Sequence, residues 1–285
     1  MGIALGQMAV LYRTKFSSLS FEKAFRAAAL PYRMLGGKGF FERMEIMDLN
    51  CYLSAAAFVR DDASFERIIN TPRRGIGPGT VRKLFDMRTG GMSLQEAARE
   101  ALRRKLLTAK LYRALEAVMQ LLDDIRDMAP AEALRTVIRR VDYMAHLTVH
   151  ARGNSMEVTS REENIDQLIY SASQKQSLYD YLEEAALIRE DREGDDADAG
   201  AGINLATIHA AKGLEFTAVF VIGCEENLFP HWRSLETPHG LEEERRLMYV
   251  SVTRAERYLY LSSASFRKGQ YSTRSRFLDE IAAAL

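Results

Sequence analysis

The sequence has only two cysteines, Cys51 and Cys224. Neither has a second cysteine nearby or a histidine at metal-ligand spacing from it, so neither a disulfide framework nor a zinc site is suggested. This usage fits a reducing, cytoplasmic setting. Net charge is also missing, with 39 Lys and Arg against 39 Asp and Glu. Overall charge therefore gives no hint of nucleic acid, and any such contact must come from local clustering. No apolar run approaches the roughly 18 residues needed to cross a bilayer, and the N-terminus lacks the pattern of a signal peptide. No internal repeat is present. The most informative absence concerns phosphate chemistry. There is no G-x-x-x-x-G-K-[ST], and Gly36-Gly37-Lys38-Gly39 has the wrong spacing and lacks the hydroxyl residue that holds magnesium. No strand ends in paired acids. The chain alone lacks the parts needed to cradle and cleave a nucleoside triphosphate.

What is present suits a globular protein with a real core: 47% hydrophobic and 27% charged residues over 285 positions, enough for two domains. Met1-Gly2 runs straight into a β-like segment and reads as a cut immediately before a strand. Met8 to Tyr12 is a short apolar run followed by polar Arg13-Thr14-Lys15, the pattern of a buried parallel strand reaching a functional edge. A helix from about Ser20 to Leu30 follows, ended by Pro31. After the glycines at 36, 37 and 39, the pattern is helical to about Glu190, with Ser93/Glu96 and Ser160/Glu163 placed as capping boxes. An acidic, glycine-rich stretch from Arg189 to Gly202 reads as a linker. β-like runs return at Ile203 to His209, Ala218 to Gly223 and Tyr258 to Ser262, with a helix from about Leu241 to Thr253. The predicted architecture is an α/β parallel-sheet domain, residues 1–34 and 202–285, interrupted by an all-α insertion at 35–201.

Three stretches carry chemistry. Thr207-Ile208-His209-Ala210-Ala211-Lys212-Gly213-Leu214-Glu215-Phe216 leaves a strand end through a glycine turn, a place where α/β sheets gather ligand contacts. Glu242-Glu243-Glu244-Arg245-Arg246-Leu247-Met248-Tyr249-Val250-Ser251-Val252-Thr253-Arg254-Ala255 delivers Arg254 at a helix end, and a guanidinium fork matches phosphate oxygens. Thr71-Pro72-Arg73-Arg74-Gly75-Ile76-Gly77-Pro78-Gly79-Thr80 opens a helix with exposed N–H groups and local positive charge from Arg73, Arg74, Arg82 and Lys83.

The first two stretches closely resemble motifs V and VI of superfamily 1 DNA helicases of the UvrD/Rep/PcrA type. Ala9-Val10-Leu11-Tyr12-Arg13-Thr14 resembles the strand after motif IV, and E-E-N-L-F-P-H and S-R-F-L-D-E-I also match that family. The resemblance covers nearly the whole chain. It implies a RecA-like (P-loop NTPase-type) domain 2A carrying a helical domain 2B, with the first motor domain absent from this chain. It implies an ATP-dependent 3′ to 5′ DNA helicase as the parent, with ATP and Mg2+ requiring the missing N-terminal domain. Arg254 is then the arginine finger on the γ-phosphate, and Glu215 the ribose contact, with Gly213 permitting the turn beside it. Arg13, Thr14, Lys15, His209, Lys212 and His231 are the implied single-strand contacts; the family often has asparagine where Lys15 stands. Arg74, Gly75, Ile76 and Gly77 are the implied grip on duplex DNA ahead of a junction.

Bland readings stand beside these. Gly75-Ile76-Gly77 reads alone as an interhelical turn, and His209 and His231 as surface or packing histidines. Phe40, Phe41, Tyr179 and Tyr181 read as core aromatics, whereas Tyr271, or Phe266, lies in a loop where a ring can stack on a base. Glu242 to Glu244 suit a solvated helix start. Two rival functions remain open: a non-enzymatic DNA-binding module, and a helicase-nuclease subunit of the RecB/AddA type, for which no nuclease residues follow S-R-F-L-D-E-I.

Overall fold

The computed structural model describes residues 2–190 and 202–284. Apart from its ends, the acidic stretch read as a linker lies outside the described residues. Two compact units result, one from Met1–Phe40 with Ile188–Leu285 and one from Phe41–Leu187. In chain order the first unit contributes β1 (Met8–Tyr12), α1 (Ser18–Ala27) and β2 (Tyr32–Leu35). The second contains α2 (Met44–Ala57), α3 (Asp62–Ile68), α4 (Pro78–Asp86), α5 (Leu94–Arg103), α6 (Ala109–Ile125), α7 (Pro130–Arg140), α8 (Tyr143–His150), α9 (Ser155–Ala172) and most of α10 (Leu178–Glu190). The first unit then resumes with β3 (Ile203–Thr207), β4 (Phe216–Ile222), α11 (Trp232–Leu235), α12 (Gly240–Val252), β5 (Ala255–Leu261), β6 (Phe266–Arg267), β7 (Gln270–Tyr271) and α13 (Arg276–Ala284).

The first unit is built on a five-stranded sheet in the order β2-β3-β1-β4-β5, with every pairing parallel. The central strands are largely apolar because both of their faces are covered. On one face Ala9, Leu11, Val219 and Val221 pack with Leu247 and Met248 of α12 and with Phe277 and Leu278 of α13. On the other, Val10, Tyr12, Leu205 and Ile222 pack with Phe21 and Phe25 of α1. β2 escaped the sequence reading because it is a short edge strand behind Pro31. The unit's first segment therefore runs past residue 34, and the Phe40 N–H donates to the buried Glu22 carboxylate at 3.2 Å.

β3 and β4 are parallel yet joined only by residues 208–215, so the chain must return along one face of the sheet without a crossover helix. Gly213, at φ 86°, makes the turn that left-handed backbone requires. Gly36, at φ 69°, lets β2 end against this return path: a Cβ there would lie 2.7 Å from Ala210 Cβ.

The second unit is helical throughout its described residues. Its core holds a polar network around α2. Asp48 accepts from Tyr143 Oη at 2.7 Å and pairs with Arg67 at 2.7 Å, and Asn164 bridges Arg43 and Glu45 at 2.8 and 2.6 Å. The Ser93/Glu96 capping box forms as predicted. Ser160 does not cap a helix. It lies inside α9, whose start is set two turns earlier by Asn154 accepting from the Glu157 N–H, since Gly153 at φ 79° has already turned the chain. Phe40, Phe41 and Tyr181 are buried, but Tyr179 is 55% exposed and rests edge-on against Phe58. It is a surface aromatic because its side of α10 is left uncovered.

Gly36→Ala combines a disfavoured backbone with the contact to Ala210. It is expected to destabilise the sheet unit by about 1–3 kcal/mol, measured by denaturant unfolding. A wild-type midpoint would show that the close approach is not needed.

Candidate functional site

The strand register divides the predicted site residues between opposite edges of the sheet. At the C-terminal edge, Tyr12 pairs with Thr207 and Ile222, so Arg13, Thr14, Lys15 and His209 emerge together. At the N-terminal edge, Phe216 pairs with Ala255, which puts Glu215 and Arg254 side by side before their strands begin. The seven residues of β4 separate these edges by roughly 20 Å, at the usual strand rise of about 3.3 Å per residue. His209, Lys212, Gly213 and Glu215 therefore do not share one strand end, as their spacing suggested. The return path carries His209 at one edge and Glu215 at the other, with Lys212 exposed between them.

Arg254 follows α12 directly. Its guanidinium donates to the carbonyls of Leu214 at 2.9 Å and Val250 at 3.1 Å and to Thr253 Oγ1 at 3.1 Å, while the Phe216 N–H donates to the Arg254 carbonyl at 2.9 Å. Among the described residues it makes no ion pair, so its charge is uncompensated and half-exposed. Glu215 is exposed close by and lines an open cleft of about 410 Å³ with Gln7, Arg33, Thr217 and Glu256. Arg33 in the cleft and Arg254 beside it offer guanidinium groups to an anionic ligand, and Glu215 and Glu256 offer carboxylates to a hydroxyl-bearing one. No cluster of three metal-ligating side chains occurs among the described residues.

The opposite edge is organised by buried carboxylates. Glu244, 1% exposed, accepts from Arg13 Nε at 3.0 Å and Nη2 at 2.7 Å, from the His231 N–H at 3.1 Å and from Ser234 Oγ at 2.7 Å. Burial raises its pKa, but the Arg13 guanidinium together with the donors of Ser234 and the His231 N–H outweighs that and holds the carboxyl below the usual range. Reading Glu242 to Glu244 as a solvated run holds for the first two, whereas Glu244 turns inward. His209 is exposed but crowded, and this partial desolvation, with Arg13 nearby, lowers its pKa. His231 is buried. Thr14 is buried with its hydroxyl on Ser17 at 2.9 Å, and Lys15 is exposed.

Glu225 builds the neighbouring part of this edge. It accepts from Arg267 Nε at 2.7 Å and the Ala264 N–H at 2.8 Å, clamping the β6–β7 hairpin. The hairpin presents Phe266 and Tyr271, whose rings meet edge to face at 5.5 Å, with Tyr271 92% exposed. Lys268 reaches back over the Phe16 ring at 5.1 Å. The clamp was invisible in the sequence, because Glu225 and Arg267 lie 42 positions apart and neither belongs to a periodic pattern.

In the helical unit, Arg74 is turned inward. Its guanidinium donates to the carbonyls of Ile68 at 2.9 Å and Thr71 at 3.0 Å and to Tyr52 Oη. The N–H groups of Arg74 and Ile76 are occupied by Asn70 Oδ1 at 2.8 and 3.2 Å, and the Ile76 side chain is buried. What the loop offers outward is the exposed Arg73, with Gly75, Gly77 and the start of α4. Lys110, which the sequence reading passed over, comes close to Gly75.

An all-parallel sheet with its first two strands split off by a helical insertion and an arginine at the edge where its last strand begins is the RecA-like architecture of a helicase C-terminal domain. The chain belongs to the UvrD-like helicase C-terminal domain family, whose model matches residues 1–266. It is similar to the ATP-dependent DNA helicase PcrA of Staphylococcus epidermidis, at 38% identity over 299 residues, and to that of Staphylococcus aureus, at 38% over 297. Each comparison takes in 98% of this chain and 40% of the relative. The chain thus spans well under half the length of the curated relatives it matches.

Two outcomes are expected. Arg74→Ala removes the donor to the Tyr52 hydroxyl and one donor each from the Ile68 and Thr71 carbonyls, and should lower the stability of the helical unit by about 2 kcal/mol, while Arg73→Ala leaves thermal unfolding unchanged. Equal melting of the two variants would refute the inward role. Second, Glu225 and Glu244 have pKa values lowered in the fold. Their stabilisation is therefore present above the ordinary carboxylate value of 4.5 and is lost as pH falls below it through their folded values. Glu225→Gln should flatten part of that acid limb in pH-dependent urea titrations.

Proposed function

We propose that this chain is the C-terminal motor and DNA-binding half of an ATP-dependent 3′ to 5′ DNA helicase, with the helical unit at 41–187 as its inserted 2B domain. The observation that carries the reading is Arg254. It is an uncompensated guanidinium held by three hydrogen bonds at the sheet edge that also bears Glu215. A partner domain carrying ATP would receive Arg254 at the γ-phosphate as an arginine finger and Glu215 at the ribose. The bound nucleotide and its Mg2+ would supply the phosphoryl chemistry from that domain, while this chain orients and neutralises the developing charge.

Single-stranded DNA would run along the opposite edge. Arg13, Lys15, His209 and Lys212 offer charge or hydrogen bonds to phosphates, His231 shapes the adjoining loop, and Tyr271 with Phe266 offers rings on which a base can stack at a junction. The inward Thr14 serves this edge by packing, not contact. For duplex DNA, Gly75 and Gly77 with Arg73 offer the phosphate-facing surface, and Arg74 and Ile76 hold its shape. The return path 208–215 and α12 both run between the two edges. Either can transmit closure of the nucleotide site to the DNA track.

Joining this chain to the part of a PcrA relative that it does not cover should give DNA-stimulated ATPase. Arg254→Ala in that polypeptide is expected to lower turnover by about 10³ to 10⁵ with DNA affinity mostly kept. Turnover within a few fold of wild type would sink the assignment, as would ATPase activity in the 285-residue chain alone.

A further inference from the structure

The Glu244 carboxylate lies inside the edge that would meet DNA, where a negative charge ought to repel phosphate. We infer that Glu244 is a positioning residue that holds Arg13 and the His231 loop in the geometry a nucleic-acid phosphate requires, an inference that rests on the DNA reading of this edge.

Its partners come from two segments far apart in the chain: the end of β1 through Arg13, and the start of α11 through the N–H of its N-cap His231 and through Ser234 Oγ. A single buried acceptor thus joins pieces of chain that no β-ladder connects. The contact with Arg13 is two-pronged, with Nε 3.0 Å from each carboxylate oxygen and Nη2 2.7 Å from one of them. This orients the planar fork, and no described residue engages Nη1. With 14% of its side chain exposed, Arg13 is an already ordered donor with one side open. A long side chain ordered by folding does not have to lose its rotamer freedom on binding, which makes a phosphate contact tighter than a free arginine would give. His209 stands in the same field as Arg13, Glu244 and Glu243. A shift of the guanidinium would therefore change the surroundings of the second phosphate-facing group as well.

Positioning and simple charge arithmetic give opposite signs. Removing a carboxylate from a DNA-facing edge should strengthen binding if only net charge counts. If Glu244 positions Arg13, it should weaken binding.

The test is fluorescence anisotropy of a labelled oligothymidylate with the 285-residue chain across a salt series. The wild-type chain should bind. Arg13→Ala should weaken binding and reduce the salt slope by about 0.7, the value for one phosphate contact on a single strand. Glu244→Gln should weaken binding about five- to tenfold despite the gained positive charge, and the double variant should match Arg13→Ala alone. Arg13→Lys keeps the charge but cannot make the two-pronged contact, and it should lose affinity to a similar degree. It serves as the test if Glu244→Gln melts early in circular dichroism. Binding by Glu244→Gln or Arg13→Lys as tight as wild type, or a double variant whose loss is the product of the single losses, overturns the inference while leaving the DNA reading intact. No binding by the wild-type chain removes that reading and this inference with it.

Discussion

The return of the chain from β3 to β4 is the constraint on which the rest of the sheet unit depends. Two parallel strands flanking β1 must be joined by residues 208–215, too few for a helix, so the connection lies against the sheet with Ile208 and Ala211 buried under it. This forces one short sequence to touch both ends of the strands. His209 is set beside Arg13, Glu215 is set beside Arg254, and the distance between the two groups is the length of β4. A connection with its own helix would have loosened that relation. Here the spacing is fixed by backbone hydrogen bonds, including the Ile208 N–H to the Tyr12 carbonyl at 3.0 Å and the Phe216 N–H to the Arg254 carbonyl at 2.9 Å.

Arginines of this chain divide by what meets them. Arg74 is held by carbonyls and a tyrosine hydroxyl and acts as an internal tie. Arg254 donates only to neutral oxygens and keeps its full charge for a partner. Arg13 stands between these cases, tied on one side and open on the other. The distinction follows from desolvation. A buried carboxylate needs a cation beside it, and that cation is then partly neutralised, whereas a guanidinium resting on carbonyls stays available to an anion.

Much of the fold was legible in the sequence. The run Met8 to Tyr12 and the three later apolar runs gave the parallel sheet, and the long stretch of helical spacing gave the insertion, because core-facing residues must follow the period of their element. β2 was missed because a four-residue edge strand has little of that periodic signal. Ser160 was misread as a cap because Asn154 and Gly153 had already set the turn, and Tyr179 was misread as core because exposure depends on what covers α10.

For the site, the sequence by itself determined which groups could act. The motif residues, the lack of a phosphate loop and the identity of Arg254 and Glu215 were all present in the order of the residues, since chemistry is carried by residue type. Only the tertiary structure decided where they lie and which are already paired. It placed Glu215 and His209 at opposite edges, turned Arg74 and Glu244 inward, and built the clamp between Glu225 and Arg267 across 42 positions. Burial and pairing are properties of neighbours brought together by the fold, and the linear order of a chain does not state its neighbours.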